Sequence, residues 1–231
     1  MGSEINFLLV GNSRLHWANY SQNQSKFSHT KKDETVPKNI DINKLIWASV
    51  GKLPNFSLKE ENEIKTKDIQ LSNLPDYFGI DRALACLAAL KTIENPLKKD
   101  LLIADFGTIL SITKLNSTGA ILGGQLIPGF LTQLKSMEQN TNNLKIPKKF
   151  EIPTKDFLLD TEEAILKGVI NSLTGVIKNS FNPLKDILIT CGGDSQFLTK
   201  SLETNKQNII NAPNLVIEGM IIHHLSEKKL A

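Results

Sequence analysis

The sequence predicts a mixed α/β protein built as two similar halves, and three observations predict it. "NFLLVGNSRLHWA" and "DLLIADFGTILSIT" each run from an apolar strand through a glycine with a hydroxyl or amide neighbour into a second apolar strand. Gly11 and Gly107 hold the same place in the two patterns, which is a repeat of half a molecule and not of a short-period solenoid. Helical periodicity follows the paired strands in each half. A chain of 231 residues can bury one large core or two smaller ones.

In chain order, the first apolar run ends at Val10, turns through Gly11-Asn12-Ser13-Arg14 and resumes to Ala18. The polar, lysine-rich stretch Asn19 to Asn43 reads as a long loop, and "KLIWASV" (Lys44 to Val50) as a buried strand. Asp81 reads as the N-cap of a helix "RALACLAALKTIE" that ends near Glu94, with Pro96 as its stop. A strand at Leu101–Ala104 turns at Phe106-Gly107-Thr108, continues over Ile109–Leu115, turns at Asn116–Gly119 and returns as "AILGGQLIPG". A helix is expected after Pro128-Gly129. A longer one is expected after Asp160-Thr161, where Asp160 and Glu163 form a capping pair. "DILITCGGD" reads as a strand ending in glycines, and "APNLVIEGMIIHHL" as a strand-to-helix junction. The halves divide near Asn95–Lys99, giving expected domains 1–97 and 98–231.

Composition excludes several classes. Hydrophobic residues make up 40% and charged ones 22%, ordinary for a globular protein. No apolar run approaches the roughly 18 residues of a membrane span, and the N-terminus lacks a signal pattern. The net charge is +3, and the lysines come in scattered pairs such as Lys31-Lys32 and Lys148-Lys149, without the aromatic-interleaved stripe of a nucleic-acid surface. Cys86 and Cys191 have no Cys or His at ligand spacing, which points to reduced thiols in the cytoplasm. His223-His224 likewise lacks ligand companions and reads as a surface or capping pair.

A glycine after a strand lets backbone N–H groups turn outward around an anion, and neighbouring Ser, Thr or Asn add donors. Gly11-Asn12-Ser13 and Gly107-Thr108 are two such loops in equivalent places, where one alone would be an ordinary turn. Arginine occurs only at Arg14 and Arg82 among 27 Lys+Arg. Arg82 follows Asp81 at the start of a helix in "YFGIDRALACLAAL", and a guanidinium fork suits a carboxylate as lysine cannot. Asp81 can accept a proton from a bound hydroxyl. The plainer reading makes Asp81 a cap and Arg82 a surface charge.

Taken in order, "GNSRLHWA", "GIDRALACLAA", "DFGTILSIT", "GAILGGQLIPG", "DTEEAILKGV" and "ITCGGD" resemble a type III pantothenate kinase of the actin-like ATPase superfamily. The resemblance runs from about residue 7 to residue 219. It implies two ribonuclease-H-like domains with mixed sheets flanked by helices, ATP with Mg2+ between them, and a cytoplasmic homodimer that phosphorylates pantothenate. Carried onto this chain, Leu9, Val10, Gly11, Asn12, Ser13, Arg14, Leu15 and His16 form the first ATP loop, and Thr108 is a second ATP contact. Tyr77, Gly79, Ile80, Asp81, Arg82 and Thr161 contact pantothenate, with Asp81 as the catalytic proton acceptor. Asp105 holds a monovalent cation, K+ or NH4+. The Gly192-Gly193 turn resembles the loop near the adenosine.

The residues themselves leave the base open between Asp81 and Asp105. Asp105, directly before a phosphate-type loop, is better placed for a cation, and Asp81 beside Arg82 for the base. The chain also departs from the family's usual pattern. Leu9 stands where the first loop usually has an aspartate, His16 where a lysine is common, and Ile109 where an alanine follows Gly-Thr. Tyr77 lies near, but not at, the usual offset of the family's substrate tyrosine. Two other functions compete with the kinase reading. One is a non-catalytic relative that binds nucleotide or pantothenate, favoured by Leu9, and the other is an actin-like phosphotransferase for a different substrate.

Overall fold

The computed structural model describes residues 4–38, 40–202 and 208–230. In the first sheet, β1 (Ile5–Val10) pairs antiparallel with β2 (Arg14–Ser21), which pairs antiparallel with β3 (Gln24–Lys31). Beside β1 on its other edge lies β4 (Ile46–Ser49), in parallel, so the order is β3-β2-β1-β4. Leu8, Val10, Leu15, Trp17, Leu45 and Trp47 form the core on one face of this sheet.

The segment expected as a loop is a strand for half its length. Gln22 and Asn23 both take positive φ, 50° and 59°, the backbone of a tight two-residue hairpin turn, without the glycine that usually announces one. Beyond the turn β3 is an edge strand whose side chains are mostly exposed, so nothing selects for apolar alternation.

Helix α1 (Ile80–Thr92) follows, buried along Ala83, Leu84, Cys86, Leu87 and Ala88. Its N-cap is Gly79, not Asp81, which sits inside the first turn. Glycine is tolerated as a cap because it leaves the first amides open to other partners.

The second sheet repeats the order of the first. Here β5 (Asp100–Phe106) pairs antiparallel with β6 (Ile109–Leu115), whose other neighbour is β7 (Ile121–Pro128). After α2 (Phe130–Asn140) and α3 (Thr161–Ser180), β8 (Asp186–Cys191) enters parallel to β5. Asp160 caps α3 as expected, its Oδ1 accepting from the Glu163 amide at 2.9 Å. The short α4 (Ser195–Leu202), which the periodicity did not announce, leads to β9 (Ile209–Asn211), parallel to β8. The order β7-β6-β5-β8-β9 thus contains the first sheet's pattern plus one strand, and bears out the duplicated α/β class. Leu166, Val169, Ile170 and Leu173 of α3 cover Leu102, Ala104 and Ile112 of the sheet. Asp186, fully buried, is satisfied by Lys114 Nζ at 2.9 Å and the Asn182 amide at 2.8 Å, which is what lets a charge stand in a core.

The last helix, α5 (Leu215–Leu230), belongs with the first sheet. One compact unit comprises 1–96, 119–121 and 214–231, and the other 97–118 and 122–213. The chain therefore crosses over near the expected boundary at 97 and returns after Pro213, a return that the division into 1–97 and 98–231 leaves out. Its cause is packing: α5 lies on α1 so closely that a β-carbon on Gly219 would press on the Leu84 carbonyl carbon at 2.7 Å. No described helix is long and apolar enough to cross a membrane.

Candidate active site

In the first unit, β1 ends and the Gly11 amide donates to the Arg14 carbonyl at 3.0 Å, closing a tight turn into β2. Asn12, Ser13 and Arg14 are exposed at its tip. Leu9, Val10 and Leu15 point into the core, with Leu9 only 7% exposed, so these three offer the site backbone alone. The chain leaving β4 lies against this turn. The Val50 amide donates to the Val10 carbonyl at 3.0 Å, and Ser49 Oγ to the Gly51 carbonyl at 2.8 Å. Gly51 approaches the Gly11 carbonyl so closely that no side chain fits there.

His16 is opposite Leu9 in the β1–β2 register and meets His29 across β2–β3, Nδ1 to Nδ1 at 2.9 Å. Burial, then repulsion from His29 and Arg14, pushes the His16 pKa down to about 4. Burial, followed by Arg14, lowers His29 as well. At neutral pH His16 is therefore an uncharged imidazole, 3.1 Å from where a Gly11 β-carbon would stand, and not a cation in a lysine's place.

The segment before α1 and the helix's first turn carry the expected substrate residues other than Thr161, which lies on α3. Tyr77 is 91% exposed, whereas Phe78 is buried. The Phe78 amide donates to the Pro75 carbonyl at 3.0 Å, and its own carbonyl accepts from Thr66 Oγ1 at 2.8 Å. This fixes the ring, and the Arg82 guanidinium lies over it at 4.0 Å from the centroid. The Arg82 amide donates to Asp81 Oδ1 at 2.8 Å. Burial outweighs that bond and the nearby guanidinium, so the Asp81 carboxyl is raised above its usual range. Burial also lowers Arg82. Ile80 is buried, and Gly79 leaves room for the carboxylate, since a β-carbon there would stand 2.7 Å from Asp81 Oδ1. A carboxylate poised to take a proton beside a stacked guanidinium is a pairing suited to an acidic substrate that carries a hydroxyl.

In the second unit the equivalent turn carries Thr108, exposed between β5 and β6. It is braced by the start of α2: the Gly129 amide donates to the Thr108 carbonyl at 2.9 Å and Thr132 Oγ1 to the same oxygen at 2.6 Å. Asp105, partly buried at the end of β5, faces the turn after β8. There Gly192 takes φ +86°, and any β-carbon would strike Asp105 Oδ1 and the Phe106 carbonyl. Thr161, exposed, is the first residue of α3. Among the described residues no three His, Cys, Asp or Glu side chains form a metal cluster, so a cation at Asp105 would draw on oxygens of other kinds.

Sequence reasoning passed over Phe78, which seats Arg82, and the Gly51 turn with Lys32, whose Nζ donates to the Lys52 carbonyl at 2.8 Å. The signal for Gly51 was present: it ends an apolar strand as Gly11 does.

Comparison with known proteins gives one family. The model of the type III pantothenate kinase family matches residues 36–182. A type III pantothenate kinase of Synechocystis sp. is 30% identical over 94% of this chain and 89% of its own length. One from Bacteroides fragilis is 30% identical over 78% of this chain and 74% of its own. Among solved structures, a putative Baf family transcriptional activator from Campylobacter jejuni superposes with a TM-score of 0.68 at 19% identity, covering 97% of this chain and all of that one. A putative 2-dehydro-3-deoxygalactonokinase from Sinorhizobium meliloti gives 0.60 at 13% identity, over 96% of both chains. At such identities these structures share the fold alone.

Proposed function

Because the chain belongs to the type III pantothenate kinase family, we propose that it phosphorylates the primary hydroxyl of pantothenate with ATP, the first step of coenzyme A biosynthesis. The observation that carries the site assignment is the Asp81–Arg82 pair on the first turn of α1. The stacked Arg82 fork binds the pantothenate carboxylate, and Asp81 takes the hydroxyl proton as that oxygen bonds to phosphorus. The raised affinity of Asp81 for a proton suits a base that must hold it through the transfer. Gly79 and Ile80 shape the wall behind the pair, and Tyr77 and Thr161 make further contacts with pantothenate. The reverse assignment, with Asp105 as base, has less support because Asp105 adjoins a phosphate-type turn and no guanidinium stands beside it in the sequence.

The first loop, from Leu9 to His16, and Thr108 of the second bind the nucleotide's phosphates. Phosphoryl transfer asks a protein mainly for positioning and charge neutralisation, which backbone amides in braced turns provide. Mg2+ arriving with ATP would supply further neutralisation on the phosphate oxygens. The Asp105 carboxylate and nearby carbonyls are the hard oxygen donors that a K+ or NH4+ ion takes, and Asp105 would hold it. The proposal extends to a homodimer working in the cytoplasm, where the buried thiols of Cys86 and Cys191 stay reduced.

The test is ATP-dependent conversion of pantothenate to 4'-phosphopantothenate, followed by mass, with Mg2+ and with or without K+ or NH4+. Product that requires the monovalent ion supports both the reaction and the role of Asp105. Folded protein that makes no product under any ion condition refutes the reading.

A further inference from the structure

Lys32, the first residue beyond β3, ends with its ammonium at the first loop. The hydrogen bond to the Lys52 carbonyl ties it down at 2.8 Å. Its Nζ lies 2.9 Å from the point a Gly51 β-carbon would occupy, and the Gly11 carbonyl carbon lies 2.9 Å from that same point. A point charge is thus held against the backbone of the turn whose tip is Asn12, Ser13 and Arg14. Gly51 is what leaves it room.

The chemistry of that turn gives the charge a use. Leu9 is apolar and buried, so the end of β1 offers no carboxylate to organise a metal ion around phosphates. The imidazole of His16, pushed down to about 4, is uncharged at neutral pH. Arg14 is then the one cation within the turn itself. An ammonium has three N–H donors and no acceptor, and among the described residues Lys32 uses one of them. Holding a lysine side chain in one place costs rotamer freedom, and a held charge beside a phosphate loop has already met that cost before the ligand arrives.

We propose that Lys32 binds the triphosphate of the nucleotide and serves as the fixed cation of the first loop. The proposal rests on the reading of Gly11–Arg14 as a phosphate-binding turn.

The experiment is steady-state kinetics on the full chain for Lys32→Ala, Lys32→Gln and Lys32→Arg, with Asn12→Ala as a marker for the loop and thermal melts to confirm folding. Lys32→Ala and Lys32→Gln should raise the KM for ATP about ten-fold and the KM for pantothenate less than two-fold, and Lys32→Arg should recover most of the loss. Inhibition by inorganic tripolyphosphate should weaken in parallel, while inhibition by adenosine should not. If Asn12→Ala raises the KM for ATP and the Lys32 variants do not, the loop binds phosphate without Lys32 and the proposal falls. If none of them moves that KM, the reading of the loop falls as well. Equal losses for both substrates would make Lys32 a structural tie only and would equally overturn the assignment.

Discussion

Replacing Gly192 by alanine should cost the second unit about 3 kcal/mol, whereas the same change at Gly193 should cost almost nothing. Gly192 stands at φ +86°, where an L-residue is penalised by about 1–2 kcal/mol. Its new β-carbon would also strike Asp105 Oδ1 and lie 2.6 Å from the Phe106 carbonyl oxygen and 2.9 Å from that carbonyl's carbon. Those backbone atoms belong to β5, which is paired on both sides and cannot retreat, so overpacking adds about 1–3 kcal/mol. A β-carbon on Gly193 meets nothing within 4 Å, and its effect should stay within about 0.5 kcal/mol. At roughly 2–4 °C per kcal/mol for a chain of this size, Gly192→Ala should melt about 6–12 °C below the wild type. Calorimetry reads both variants, and pantothenate phosphorylation should fall in Gly192→Ala alone because Asp105 is displaced. Equal melting temperatures for the two variants would refute the close approach of the two turns.

The remaining predictions concern α1. Asp81→Asn should lower kcat by about 10²–10⁴ while leaving the KM for ATP within two-fold, as steady-state assays would show. The folded-state pKa of Asp81 is raised, so the stability this group contributes is present below its unfolded pKa, near 3.9, and lost as pH rises through the folded value. Asp81→Asn should therefore melt higher than the wild type at pH 7 and gain nothing at pH 3, and the acid limb of kcat/KM in the wild type should lie above the ordinary aspartate range. Arg82→Lys should raise the KM for pantothenate about ten-fold, since lysine lacks both the fork and the flat face that stacks on Phe78. Gly219→Ala gains about 1 kcal/mol of helix propensity but presses on the Leu84 backbone. The clash should win by about 1–2 kcal/mol in denaturant titrations, and a more stable variant would refute the tight α1–α5 packing.

The parts of the fold that were legible in the sequence are those where burial imposes a period. The strands ending at Val10 and Phe106, and the helix capped by Asp160, each carry an apolar face that a sheet or a core demands. The β3 strand was not legible because an exposed edge places no demand on side-chain alternation, and its turn at Gln22-Asn23 adopts positive φ without glycine. The return of α5 to the first unit could not be read locally either. It depends on Gly219 meeting Leu84, residues brought together only by the completed fold. The same holds at the site. Asp81 and Arg82 stood out by chemistry and by the rarity of arginine, but Phe78 gains its meaning only when the turn held by Thr66 lays its ring under the guanidinium.

Leu9 and His16 belong to one physical arrangement. They are cross-strand partners at the end of β1, and β1 is an interior strand with neighbours on both sides. A carboxylate at position 9 would be nearly buried, and without a cation beside it such a group is costly. A charged side chain at position 16 would be partly buried, and a cation there would also face His29 and Arg14. Leucine and a neutral imidazole avoid both costs. Charge for a phosphate must then come from outside that pair. Two cations stand at the rim: Arg14 on the exposed turn, and Lys32, whose Nζ donates to the Lys52 carbonyl beside a glycine that has no side chain to block it. On the proposed reading of the first loop, the charge that Leu9 does not offer would come from the turn's surroundings, and the Lys32 kinetics test that reading.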